Sequence, residues 1–284
     1  MPIRSPSAAR CRTMLSIMAR KQTKSNIQWP RRFLRGIAVA AFWLALWQVI
    51  AVAVHEEVLL VGPLDVLLRL GELVRTATFW ATVAASMGRV VLGFALGVAA
   101  GVLLAAGTSA SRLCDALFRP ILSVVKATPI ASFIILALVW LKGARVPTFA
   151  AFLVVLPIVW QNVRDGIAQT PRALLEMAAV YRFGPRRTLT RLYVPAVLPY
   201  FMAACRTGLG MAWKAGVAAE VLASARLSIG GNLYDAKIYL ETPDLFAWTV
   251  VVILLSMALE KVLVALMRRL SSRARGGLLR IHEL

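Results

Sequence analysis

Residues 34–54 read LRGIAVAAFWLALWQVIAVAV, an apolar run interrupted only by Arg35 and Gln48. As a helix it is about 30 Å long, the thickness of a bilayer's hydrocarbon core. In hydrocarbon a backbone must satisfy its own polar groups, so a run of this kind has one regular option, the α-helix. Similar runs recur at about 82–107, 120–141, 147–162, 192–222 and 246–267. The chain is 60% hydrophobic and 16% charged, against ~25% charged for soluble domains. A soluble core cannot hide that excess. The expectation is an all-α integral membrane protein with about six transmembrane helices.

Charge sets the topology. With the N-terminus inside, the inner segments 1–36, 109–119, 163–191 and 268–284 hold 22 of the 33 Lys and Arg, and the outer segments hold 6. That asymmetry follows the positive-inside rule. It accounts for most of the net charge of +20 without nucleic acid. Residues 1–32 read as a basic cytoplasmic tail, 33–270 as the transmembrane domain, and 271–284 as a second basic cytoplasmic tail. The stretch after the first span carries Glu56, Glu57, Asp65 and Glu72 and reads as an amphipathic segment along the outer membrane surface.

Within the spans, Gly93, Gly97 and Gly101 fall at four-residue spacing, a small-residue stripe that lets helix backbones approach. Pro120 and Pro129 lie in or near the third span, Pro147 and Pro157 in the fourth. Three dispersed cysteines and two histidines give no metal-ligand or redox spacing. No nucleophile–base pair suggests an enzyme.

Residues 163–191 are the most polar interior stretch. Thr170-Pro171 reads as a helix start. Leu174, Leu175, Ala178 and Ala179 then share a face at helical spacing, with Arg172 and Glu176 placed to pair across one turn. Gly184-Pro185 ends the helix, and a second helix carrying Arg187 and Arg191 enters the fifth span. The residues alone fit two readings equally. One is a docking helix for another protein, and the other is a basic amphipathic helix on anionic lipid.

The segment resembles the EAA loop of ABC importer permeases. That pattern has a glutamate, two small residues, a glycine six after the glutamate and a proline nineteen after it. Here Glu176, Ala178, Ala179 and Pro195 fall at those places, and Leu192 and Val194 precede the proline. The glycine place holds Arg182, with Gly184 two residues later. Further stretches over residues 60–270, among them SMGRVVLGFALGVAAG and LYVPAVLPYFMAACRTGLGMAWKAGVAAEVLA, resemble the nitrate/sulfonate/taurine branch. The resemblance implies a methionine-importer-permease-like fold in a bacterial inner membrane. It implies a docking role for Leu175, Glu176, Ala178, Ala179, Arg182, Gly184 and Pro195 on a cytoplasmic ATPase. It also implies a periplasmic or lipid-anchored solute-binding protein and a permease homodimer. ATP would be bound by the partner, and the chain itself holds no G-x-x-x-x-G-K-[ST].

Arg89, Lys126, Arg206, Lys214 and Glu220 lie within or at the ends of spans. Such groups are costly in hydrocarbon and face protein or water. Lys126 and Arg206 read as snorkelling side chains. Lys214 has two readings, lining an anion path or pairing with Glu220. Arg89 and Glu220 lie near outer span ends and can pair. Trp213 reads as packing or substrate contact. Tyr234, Asp235, Lys237 and Tyr239 lie in an outer loop that can meet a substrate-delivering protein. The function expected is the permease subunit of an ATP-driven importer of a small anion such as a sulfonate, nitrate or taurine. A self-contained secondary transporter is the alternative, but it would need internal inverted repeats and mid-membrane carboxylates, neither of which the sequence offers.

Overall fold

In a computed structural model, residues 28–54 and 59–279 are described, with side chains for 35–54 and 59–269. All regular structure among them is helical. The expected N-terminal tail lies outside the described residues up to position 27, as do Glu56 and Glu57. The chain divides between Leu64 and Asp65 into two units. The N-terminal unit contains α1 (Gln28–Val54), and there the Trp47 indole donates to the Val61 carbonyl at 3.1 Å.

The larger unit begins at Asp65, within α2 (Pro63–Val74). The helix is amphipathic, as the sequence suggests, with Val66 buried and Leu64, Leu67 and Leu68 exposed. Arg69 on α2 ion-pairs with Glu72 and with Asp244. These two carboxylates, Asp244 first, hold the guanidinium above its ordinary range.

Three long helices form the centre: α3 (Ala77–Ala110), α6 (Val146–Ala168) and α9 (Val194–Ala223). The glycine stripe explains why they lie so close. A Cβ on Gly93 would stand 2.3 Å from the Thr148 carbonyl oxygen. On Gly97 it would stand 2.7 Å from Val155 Cβ, and on Gly101 2.8 Å from Val159 Cβ. The stripe on α3 therefore seats the facing valine ridge of α6, the small-residue packing expected of membrane helices. The core continues through Val90, Ala105, Trp160, Ala212 and Trp213, all buried.

Between α3 and α6 the expected third span is two helices. α4 (Arg112–Ala127) and α5 (Ile130–Trp140) meet at a bend of 106°. Pro129 causes the break. It offers no N–H and drives the residue before it out of the helical region. Thr128 accordingly sits at φ −81°, ψ 132°, and its hydroxyl and amide both return to the Val124 carbonyl. Pro120, by contrast, stays inside α4.

The fourth run is longer than 147–162 suggests, because a single 3₁₀ turn at Gly143–Arg145 leads directly into α6. The last helix, α11 (Thr242–Leu279), is 38 residues long, so the expected C-terminal tail is helical to Leu279. Among the described residues four helices are long and apolar enough to cross a membrane, or five if the bent pair is one span. α9 is not among them, since Arg206, Lys214 and Glu220 lie on it. The count of six from the sequence alone is therefore met only by adding both the bent pair and α9.

Candidate functional site

The segment between α6 and α9 is a short helix, a tight turn and a helical restart. α7 (Arg172–Val180) begins one residue after Pro171. Thr170 does not cap it. The Thr170 side chain is buried, and its hydroxyl donates back to the Gly166 carbonyl at 3.4 Å, so it belongs to the end of α6. The expected shared apolar face is divided. Ala178 is buried, Leu175 is half-buried, and Leu174 and Ala179 are exposed. Ala178 therefore anchors the helix while Glu176 and Ala179 stay available. Arg172 and Glu176 are both exposed, and the pair expected between them is not among the ion pairs of the described residues.

The turn falls at Arg182, not at Gly184. Arg182 has φ 50°, whereas Gly184 has an ordinary φ of −69°. The Phe183 amide donates to the Ala178 carbonyl at 2.8 Å, and the Arg182 amide donates to the Ala179 carbonyl at 3.1 Å. This pair of bonds is a Schellman closure, whose C′ residue is left-handed and usually glycine. The glycine place of the EAA pattern thus coincides with the one backbone position here that needs a positive φ. Arginine occupies it in the same conformation, at a cost of roughly 1–2 kcal/mol.

The restart, α8 (Pro185–Thr188), passes through a π-helical turn at Leu189–Tyr193 into α9. Single π turns mark local irregularity and often accompany functional sites. Leu192 is buried, and Pro195 is exposed in the first turn of α9.

At the other end of α9 sits a buried polar knot. Glu220 is fully buried. Its carboxylate accepts from Ser86 Oγ at 2.9 Å, from Arg89 Nη1 at 3.1 Å and from the Gly230 amide at 3.1 Å. Ser86 Oγ in turn accepts from the Ile229 amide at 3.0 Å. Arg89 also donates to the carbonyls of Arg226 and Leu227, both at 3.2 Å. Glu220 therefore sits at the N-terminus of α10 (Ile229–Ile238), where the helix dipole favours a negative charge. Gly230 makes this possible, because a Cβ there would stand 2.4 Å from Glu220 Cβ.

The expected Arg89–Glu220 pair is present. Ser86 and the α10 amides are partners that sequence reasoning missed. One signal was available, since Ser86 and Arg89 are three apart on α3 and so share a face. The outer loop of the sequence reading is largely α10, on which Tyr234, Asp235 and Lys237 are exposed, as is Tyr239 just past its end.

Lys214 and Trp213 point to opposite surroundings. Trp213 is 1% exposed and donates to the Val252 carbonyl at 3.1 Å, which is packing against α11. Lys214 is exposed, and no ion pair involves it among the described residues. It does not pair with Glu220, whose charge is matched by Arg89. The exposed face of α9 around it consists of Ala203, Thr207, Met211, Lys214 and Ala218. Arg206, at the edge of that face, pairs with Glu260 of α11 at 2.8 Å. Lys126 is exposed in the last turn of α4.

Comparison with known proteins agrees with this architecture. Residues 97–276 match the model of the binding-protein-dependent transport system inner membrane component family. The chain is 31% identical to a probable ABC transporter permease protein of Brucella melitensis, over 75% of this chain and 87% of that protein. It is 25% identical to SsuC of Bacillus subtilis, named as an aliphatic sulfonates transport permease, over 84% and 86%. It is 26% identical to the nitrate import permease NrtB of Synechococcus elongatus, over 72% and 76%. The chain belongs to the binding-protein-dependent transport system inner membrane components, the permease subunits of ABC importers.

Proposed function

We propose that this chain forms half of the translocation path of an importer for a small anion and that α7 is where a separate ATPase engages it. The observation that carries this reading is the construction of residues 172–193. Ala178 is buried and holds α7 in place, the left-handed Arg182 fixes its exit angle, and Glu176 and Ala179 remain exposed. A short helix with small exposed residues, rigidly joined to the central helix α9, suits a groove on a partner. Differential contacts made by that partner in its two states would then reach α9 directly.

The orientation that fits the charge distribution puts α7 and both termini in the cytoplasm. The α10 end of α9 then faces the side from which a solute-binding protein delivers its cargo. Counted with the bent pair, α9 is a sixth span, since its 30 residues reach about 45 Å. The exposed Ala203–Ala218 face is where a second copy of the permease would meet the first, with Lys214 directed at the passing solute. Sulfonate and nitrate, the cargoes in the relatives' names, are anions, which suits a lone exposed lysine. Glu220, Arg89 and Trp213 serve this path by positioning α9 and do not touch the solute.

The test is purification of the tagged chain from native membranes, as wild type and as Glu176→Lys with Ala179→Arg. An ATPase that accompanies wild type and is lost from the double variant supports the docking role. Equal recovery with both would overturn it.

A further inference from the structure

Two cavities meet at the α7 end of the central helices, and their chemistry differs. The first, of about 900 Å³, lies between the end of α3, α4 and α6. Arg112, Arg119 and Arg164 line it, with Asp115 as the single acid. Asp115 is committed to Arg164, through contacts of 2.8 Å and 3.0 Å to its two terminal nitrogens. Arg164 is further fixed over the Trp160 ring at 5.4 Å, and the Trp160 indole is itself held by Thr108 at 2.9 Å. Arg119 reaches Asp115 only at 3.9 Å. Arg112 makes no ion pair among the described residues. The cavity therefore has a rigid floor and two exposed guanidinium groups whose charge Asp115 does not cancel.

The second cavity, of about 570 Å³, is apolar. Val102, Ala106, Val163, Val197, Leu198 and Phe201 are in its wall. Ser109, Ala110 and Ile167 belong to both walls. A basic chamber thus shares a rim with an apolar cleft at one end of a membrane helix bundle.

We infer that these joined cavities hold one anionic phospholipid, with its phosphate headgroup on Arg112 and Arg119 and an acyl chain in the cleft beside Ala106. The shape answers to both parts of such a molecule. A small free anion has no use for the apolar cleft, and a neutral lipid has no use for the two arginines. Basic pockets between membrane helices on the cytoplasmic side are known to take anionic headgroups. The inference uses the orientation proposed above only to name the leaflet, which is the inner one. It does not depend on the ATPase or on the transported solute.

The experiment is native mass spectrometry of the full chain released from detergent, without any partner. The probes are phosphatidylglycerol, phosphatidylcholine and glycerol 3-phosphate. Wild type should retain one phosphatidylglycerol in preference to phosphatidylcholine. Arg112→Gln with Arg119→Gln should weaken retention roughly five-fold per arginine. Ala106→Trp, which places a ring in the cleft at an exposed position, should also weaken it while leaving both arginines in place. Equal retention of the two lipids, unchanged retention in the arginine variant, or displacement of the lipid by an equal concentration of glycerol 3-phosphate would each overturn the assignment. Because the chain is measured alone, none of these outcomes bears on whether α7 docks an ATPase.

Discussion

The two ends of α9 are built to opposite rules. At the Glu220 end every side chain of the knot has a partner, and α3, α9 and α10 are tied together through three side chains and two backbone amides. Across residues 171–193 the charges are exposed and form no ion pair among the described residues, and only Ala178 and Leu192 are buried. A buried, fully satisfied network specifies one arrangement. An exposed helix held at one point, with a strained closure, is a surface for something else to grip. The contrast assigns geometry to one end of the helix and exchange with partners to the other.

The largest effect that would break this contrast lies in the knot. Glu220→Ala leaves Arg89 partly buried without its counter-charge, and removing one member of a buried pair costs about 3–5 kcal/mol. Thermal unfolding in detergent should show a large loss, and a change below ~1 kcal/mol would mean the knot is not structural. Gly230→Ala should follow, since the new Cβ meets Glu220 Cβ and the Val221 amide, with overpacking costing about 1–3 kcal/mol. Gly97→Val should act similarly by forcing α3 from Val155.

Away from the knot the signs reverse or vanish. Arg182→Gly should stabilise the chain by about 1 kcal/mol, because glycine adopts the left-handed conformation without the Cβ penalty. If Arg182→Gly destabilises instead, the arginine side chain contributes contacts that outweigh its backbone strain. Lys214→Ala should leave stability within about 0.5 kcal/mol while lowering anion uptake by the assembled importer. Unchanged uptake would remove Lys214 from the path.

Much of this organisation was legible in the sequence. The apolar runs located the long helices, and the glycines at four-residue spacing located their closest contact. Arg89 and Glu220 were legible as a pair because charges in apolar runs have few alternatives. What escaped was set by backbone geometry. The third run looked continuous in hydropathy, yet Pro129 turns it by 106°. Thr170 looked like a cap for the helix after it, but its hydroxyl serves the helix before it. Gly184 looked like the turn residue because glycine favours turns, whereas the closure needed its left-handed residue two positions earlier. Lys214 and Glu220 looked close in sequence, but six residues apart on a helix they lie about 120° apart around the axis.

The most direct measurement is photo-cross-linking in native membranes, with a benzophenone amino acid placed singly at Ala179 or at Lys214. The account predicts that position 179 captures an ATPase chain and that position 214 captures a second copy of the permease. Capture of lipid alone at 179, or of the ATPase at 214 and not at 179, would contradict it.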